Sequence, residues 1–161
     1  MTLLKIKYST FLAEPSEEKY KLLLDLEVKR YIHDETTGAF YLLTGIFKAG
    51  SVWDGNSTPW AFRWVIPKWS ETNELINVLS LLHDGDFSTS GWGFLDYSST
   101  NDLLRGGWRE AGYSRVRASS AEFFVQQCAR SHWGSDENNL SKSYSTNIKR
   151  VYNLSKESLA N

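Results

Sequence analysis

Residues 20–32 read Tyr20-Lys21-Leu22-Leu23-Leu24-Asp25-Leu26-Glu27-Val28-Lys29-Arg30-Tyr31-Ile32. Leu22, Leu24, Leu26 and Val28 fall on one face at a period of two residues, and Asp25, Glu27 and Lys29 fall on the other. Such alternation predicts a strand with one buried face. His33-Asp34-Glu35-Thr36-Thr37-Gly38 follows with turn chemistry. Residues 39–47 then read as a returning strand, so a β-hairpin is the simplest assembly. His33 falls on the turn and is expected to be a solvated loop residue.

Outward from the hairpin the period changes. Leu75, Val78, Leu79 and Leu82 follow helical spacing, with Ser70 as cap, a start near Glu71 and Gly85 as terminator. A second helix is expected from a Ser99 or Thr100 cap through Leu103, Leu104 and Trp108, ending at Gly112. A third runs from Ser114 to about Trp133, with Val116, Phe123, Phe124, Val125 and Cys128 as its apolar side. Residues 135–161 are rich in Ser, Asn and Lys, and Tyr144, Ile148, Val151 and Tyr152 have the spacing of a short docking helix. A tail that orders only on a partner fits them equally. The fold class is therefore α+β: an N-terminal β-hairpin or small antiparallel sheet, a three-helix region and a polar C-terminal tail. Residues 1–134 make one domain and residues 135–161 an appendage to it.

Composition narrows the function classes. The 161 residues are 41% hydrophobic and 23% charged, with a net charge of −1. That balance gives no electrostatic reason to expect nucleic acid as a partner. Aromatic residues make up 14%, including seven Trp, which suits a core and a protein interface alike. Cys128 stands alone, excluding an intrachain disulfide, and its apolar neighbours suggest a small core residue. No apolar run is long enough to span a membrane, and the first residues lack signal-peptide character. Synthesis in a reducing cytoplasm is expected, with later incorporation into a virus particle compatible with it.

The chemistry concentrates in three places: Trp53-Asp54-Gly55-Asn56-Ser57-Thr58-Pro59, the His83-Asp84 pair, and Asp102. A histidine takes a proton from water near neutral pH, and does so better when a carboxylate holds its other ring nitrogen. In this reading His83 is the base and Asp102 its orienting group. Adjacent helical residues point about 100° apart, which leaves Asp84 free to hold a hard cation with Asp54 and the carbonyls of Gly55 and Asn56. Calcium there would polarise a carbonyl during ester hydrolysis. The bland reading stands beside it. His83 closes a helix, Ser99-x-x-Asp102 is a capping-box spacing, and Asp54-Gly55 is a common turn pair. A zinc site would need scattered ligands such as His83, Asp84 and His132.

The order of these motifs, followed by Asn101-Asp102-Leu103-Leu104, Arg117-Ala118 and His132-Trp133-Gly134, resembles a phage and prophage domain family of unknown function. Its members read Asp-(Gly/Leu)-Ala-Ser-(Ile/Val)-Pro, then His-Asp, then Ala-Asp-x-x-Phe, and the likeness spans about residues 20–134. The order is also distantly similar to that of secreted bacterial phospholipases A2. That likeness implies calcium on Asp54 and Asp84, His83 as base and Asp102 as its anchor. This chain departs from those enzymes in lacking a second cysteine, in placing Gly85-Asp86-Phe87 after His-Asp, and in carrying Asn56 in the loop. Two functions follow as expectations. One is a virion or tail-associated structural component whose partners are other virion proteins. The other is a calcium-dependent hydrolase of lipid or cell-envelope esters.

Overall fold

In β4 (Leu26–Asp34) the alternation is realised: Leu26, Val28, Arg30 and Ile32 are buried, while Glu27 is exposed. The computed structural model describes all residues except 57–60, 62, 156–158 and 161, so Ser57-Thr58-Pro59 lies outside the described residues. β4 pairs along its whole length with β5 (Ala39–Phe47) through the turn at residues 35–38. His33 belongs to β4 rather than the turn, and its ring stacks on Phe40 at 4.6 Å. The strand expected over 20–32 is broken at residues 23–25, where Leu24 turns outward and Asp25 accepts the Ala49 backbone N–H. Its first part becomes β3 (Lys19–Leu22), in a second sheet with β2 (Ala13–Ser16) and β6 (Val52–Trp53).

β1 (Thr2–Tyr8) pairs with the far side of β4, and β7 (Tyr144–Val151) pairs with β5, giving an antiparallel sheet in the order β1-β4-β5-β7. This corrects the expectation for residues 135–161. Tyr144, Ile148 and Val151 belong to a strand hydrogen-bonded to β5, not to an appended docking helix. Thr146, Ile148 and the residues between them supply a ladder that a pure spacing argument does not detect. The architecture is α+β as expected, with α1 (Glu74–Ser88), α2 (Tyr97–Glu110), α3 (Arg115–Cys128) and a single turn, α4 (Leu140–Ser143).

The helix ends differ from expectation for identifiable reasons. Ser70 does not cap α1. Its Oγ accepts the Asn73 N–H, and Asn73 is the N-cap residue. Gly85 does not terminate α1 either. It lies inside the helix because Tyr144 and Phe47 pack onto it: a Cβ there would meet Tyr144 Cδ1 at 2.7 Å and Phe47 Cε1 at 2.8 Å. α2 is capped by Asp96, which accepts the Ser99 N–H, so Asp102 has no capping role. α3 begins after a Ser114 cap as expected but stops at Cys128.

One core runs from the sheet into the helices and includes Leu26, Val28, Phe47, Trp53, Val78, Leu81 and Trp108. Within its polar seam Arg30, on the buried face of β4, donates to both oxygens of Asp86 on α1, at 2.6 and 3.1 Å. Tyr144 on β7 donates to the same carboxylate at 3.0 Å. Its ring stacks flat on Phe47, with centroids 4.0 Å apart. Burial pushes the Tyr144 hydroxyl far up, and the Asp86 charge raises the Arg30 guanidinium against the opposing effect of burial. Asp86→Ala leaves that guanidinium buried without a counter-charge. We expect a loss of about 3–5 kcal/mol, read as a lower denaturant midpoint. An Arg30→Met/Asp86→Leu double variant should recover most of it.

Candidate functional site

α1 presents His83 and Asp84 in succession, and their angular separation sends them to different neighbours. His83 turns towards α2. Its Nε2 lies 3.2 Å from Asn101 Oδ1, and its ring packs on Phe87 at 4.1 Å. Asp84 turns towards the loop after β6. Its carboxylate accepts the Asp54 backbone N–H and sits in the field of Asp54 and Glu137. Both side chains are partly exposed and border a concavity.

That concavity is a pocket of about 210 Å³. Asp54, Gly55, His83, Asp84 and Glu137 form its polar end. Ile66, Phe87, Leu104, Trp108, Phe124 and Val125 form an apolar wall. Four of the five sequence-derived candidates thus meet: His83, Asp84, Asp54 and Gly55 all line one pocket. Gly55 is held at φ +75°, and a Cβ there would meet the Lys68 carbonyl at 2.6 Å, so only glycine suits this bend.

Asp102 does not join them. Its Oδ1 lies 3.5 Å from Arg105 and its Oδ2 lies 3.6 Å from the Met1 amino group, on the other side of α2. Asn101 holds His83 instead. Helical phase carries the signal for this: Asn101, Leu104 and Trp108 share the buried stripe of α2, whereas Asp102 shares its face with Arg105. A carboxylate is the more familiar partner for a histidine, and chemistry alone therefore selects the wrong neighbour.

Cys128, read from sequence as a small core residue, and His132, named there as a possible zinc ligand, also border the pocket. Cys128 is exposed and lines the cavity rather than filling the core. His132 lines it too, with Nδ1 at 3.8 Å from Glu137 Oε1. Although His83, Asp84 and His132 share the cavity, no group of three His, Cys, Asp or Glu residues among the described residues is arranged to hold a metal. The segment after α3 is pinned to α1 by Gly134 N–H donating to the Phe87 carbonyl at 2.9 Å. Trp133 stands edge-on against Phe87 and Tyr97.

The oxygen donors at the polar end are hard, as calcium requires. Their arrangement does not suit it. Asp54 Oδ1 lies 3.6 Å from Lys19 Nζ, and Asp54 Oδ2 accepts from Asn138 Nδ2 at 3.3 Å. Asn138 Oδ1 in turn accepts from Lys19 Nζ at 2.5 Å. Both oxygens of the first required ligand are already engaged by the chain's own donors.

Burial pushes the His83 imidazole down to about 4, against the opposing effects of Asn101 and Asp86. It pushes Asp84 well up, reinforced by the like charge of Asp54 and resisted by the Asp54 N–H and Lys19. No protein-family model, curated protein or solved structure matches this chain.

The two shifts have separable signatures. His83 is depressed on folding, so it contributes stability above pH 6.5 that is lost as pH falls towards about 4. A shift of that size corresponds to about 3 kcal/mol. Replacing it in His83→Gln should flatten the stability profile across this window, measured by urea denaturation at successive pH values. Asp84 is raised on folding, so its ionised form opposes folding at every pH above 3.8. Asp84→Asn should therefore raise the melting temperature at pH 7, with the gain shrinking as pH approaches 4.

Proposed function

We propose that this chain is a hydrolase in which His83 is the general base that activates water against an ester bearing an apolar acyl group. The observation that carries the reading is a desolvated imidazole, fixed at one nitrogen by Asn101, opening onto a pocket with a polar end and a hydrocarbon wall. Nε2–H donating to Asn101 Oδ1 leaves Nδ1 as the unprotonated acceptor. A neutral amide fixes this tautomer without adding charge. The base therefore stays neutral at any pH well above 4, and its lowered proton affinity makes it a weaker acceptor than an ordinary imidazole. Packing against the tilted Phe87 ring limits rotation of the imidazole. The apolar wall supplies binding energy for the acyl group remote from the reacting carbon.

The calcium expected from the phospholipase A2 resemblance supplies no step here, because Asp54 is engaged by Lys19 and Asn138. The resemblance to the phage domain family keeps a virion role in view, and a separate feature favours it. On α3, Val116 is 77% and Phe123 60% exposed, and nearby Trp64 is 78% exposed. Arg117 ties the two places together by donating to the Val65 and Trp64 carbonyls. An exposed apolar face of this kind suits docking to a protein partner, and a Trp64→Ser/Phe123→Ser variant that still enters particles normally would remove that support.

The hydrolase reading is tested with short-chain esters in the purified protein. We expect His83→Ala to lower kcat by about 10²–10⁴-fold while circular dichroism stays unchanged. The acid limb of kcat/KM should fall near pH 4 rather than near pH 6.5, following the depressed imidazole. Asn101→Asp should move that limb upward, because a carboxylate favours the imidazolium. Wild-type protein with no esterase activity across acyl lengths would end this reading.

A further inference from the structure

The polar end of the pocket gathers three carboxyl groups, Asp54, Asp84 and Glu137, and Lys19 is the ammonium paired there with Asp54. That cation is placed with some care. Lys19 opens β3, in the hairpin with β2, and its ammonium reaches over the loop after β6. It is held at 2.5 Å by Asn138 Oδ1, and it lies 3.6 Å from Asp54 Oδ1. Asn138 closes the ring by donating to Asp54 Oδ2 at 3.3 Å. Asp54 passes the link inward through its backbone N–H to the Asp84 carboxylate. Lysine, amide and two carboxylates thus form one connected cluster drawn from β3, the β6 loop, α1 and the segment before α4.

We infer that Lys19 is the resident cation of this site, a tethered ammonium that holds the Asp54–Asp84 pair in place of a divalent metal ion. Three considerations support the assignment. The ammonium is a compact charge with three donors, which suits bridging a carboxylate and an amide oxygen. Its stem enters from a neighbouring strand, so its position is set by the fold instead of by an equilibrium with free ions. The same contacts fasten Asn138, and with it the segment bearing Glu137, across the pocket. Lys19 is accordingly a positioning residue: it does not line the cavity, and it acts through Asp54 and Asn138. The inference rests on the geometry of the site and not on its turnover.

The test uses full-length protein carrying His83→Ala, so that hydrolysis plays no part, and reads melting temperature against calcium chloride. The parent protein should melt at one temperature from zero to millimolar calcium. Lys19→Met keeps the length of the stem and removes the charge. It should lower the melting temperature without calcium and regain part of the loss as calcium is added, since a ligand that binds only the folded state stabilises it by mass action. Lys19→Arg should restore the parent's indifference to calcium. Should Lys19→Met itself fail to fold, Asn138→Ala, which loosens the ammonium without removing it, should show the same gain of calcium response in weaker form. A parent protein already stabilised by calcium would overturn the inference. So would a Lys19→Met variant, or its Asn138→Ala substitute, as indifferent to calcium as the parent.

Discussion

The buried pair between Arg30 and Asp86 is the constraint on which the rest of the architecture depends. An ion pair taken out of water is costly unless its remaining donors and acceptors are also satisfied. Here bidentate geometry and the Tyr144 hydroxyl satisfy the carboxylate and offset much of that cost, while the buried Arg30 Nε–H is left without a hydrogen-bond partner among the described residues. One carboxylate on α1 therefore fixes three strands relative to one helix: β4 through Arg30, β7 through Tyr144, and β5 through the Phe47 ring beneath Tyr144. Gly85 completes the arrangement by letting that ring reach the helix backbone. Specificity follows from this arrangement, because a register shift of one residue in β4 would turn Arg30 outward and leave Asp86 buried alone.

The site is a consequence of that fixed helix. With Asp86 anchored on the sheet, the rotation of α1 is fixed, and His83 and Asp84 are committed to different surroundings, one against α2 and the other against the β6 loop. Both are driven towards neutrality, by burial in the first case and by burial together with like charge in the second. Two adjacent residues thus acquire opposite departures from their ordinary ionisation, which is the pattern expected where protons are moved. The tethered ammonium of Lys19 and the amide of Asn101 then divide the orienting work, one on each side of the helix.

Much of this could be read in the residues, and the failures have physical causes. Period-two alternation placed β4 and β5, and helical spacing placed α1 and α2, because those elements bury one face. Arg30 continues the same buried stripe, but the alternation was followed only to Val28, which missed the need for a counter-charge. Convergence of Asp54, Gly55, His83 and Asp84 was legible as chemistry before it was visible as geometry. β7 was not, since its pairing partner lies about a hundred positions away and its outer face is polar. α3 was misjudged for the opposite reason: Val116 and Phe123 look like core residues, yet the buried face is made of Ala118, Ala121 and a paired Glu122. Close packing against α2 requires small side chains there, which a search for large apolar residues overlooks. Asn101 was passed over because a carboxylate stands next to it, and Gly85 because a glycine at a helix end usually means a stop.

The contribution of Tyr144 bears on how the chain reaches its native state. A polypeptide emerging from the ribosome exposes β1, β4 and β5 well before the segment that covers the free edge of β5. Until that segment arrives, the Arg30 guanidinium lacks one of its neighbours, Phe47 is uncovered and a nine-residue strand offers unpaired backbone groups. Pairing across so large a separation in sequence is slow to close. The nascent chain is thus most prone to associate with its copies during that interval, and its yield in a cell should depend on chaperone capacity more than its final stability suggests.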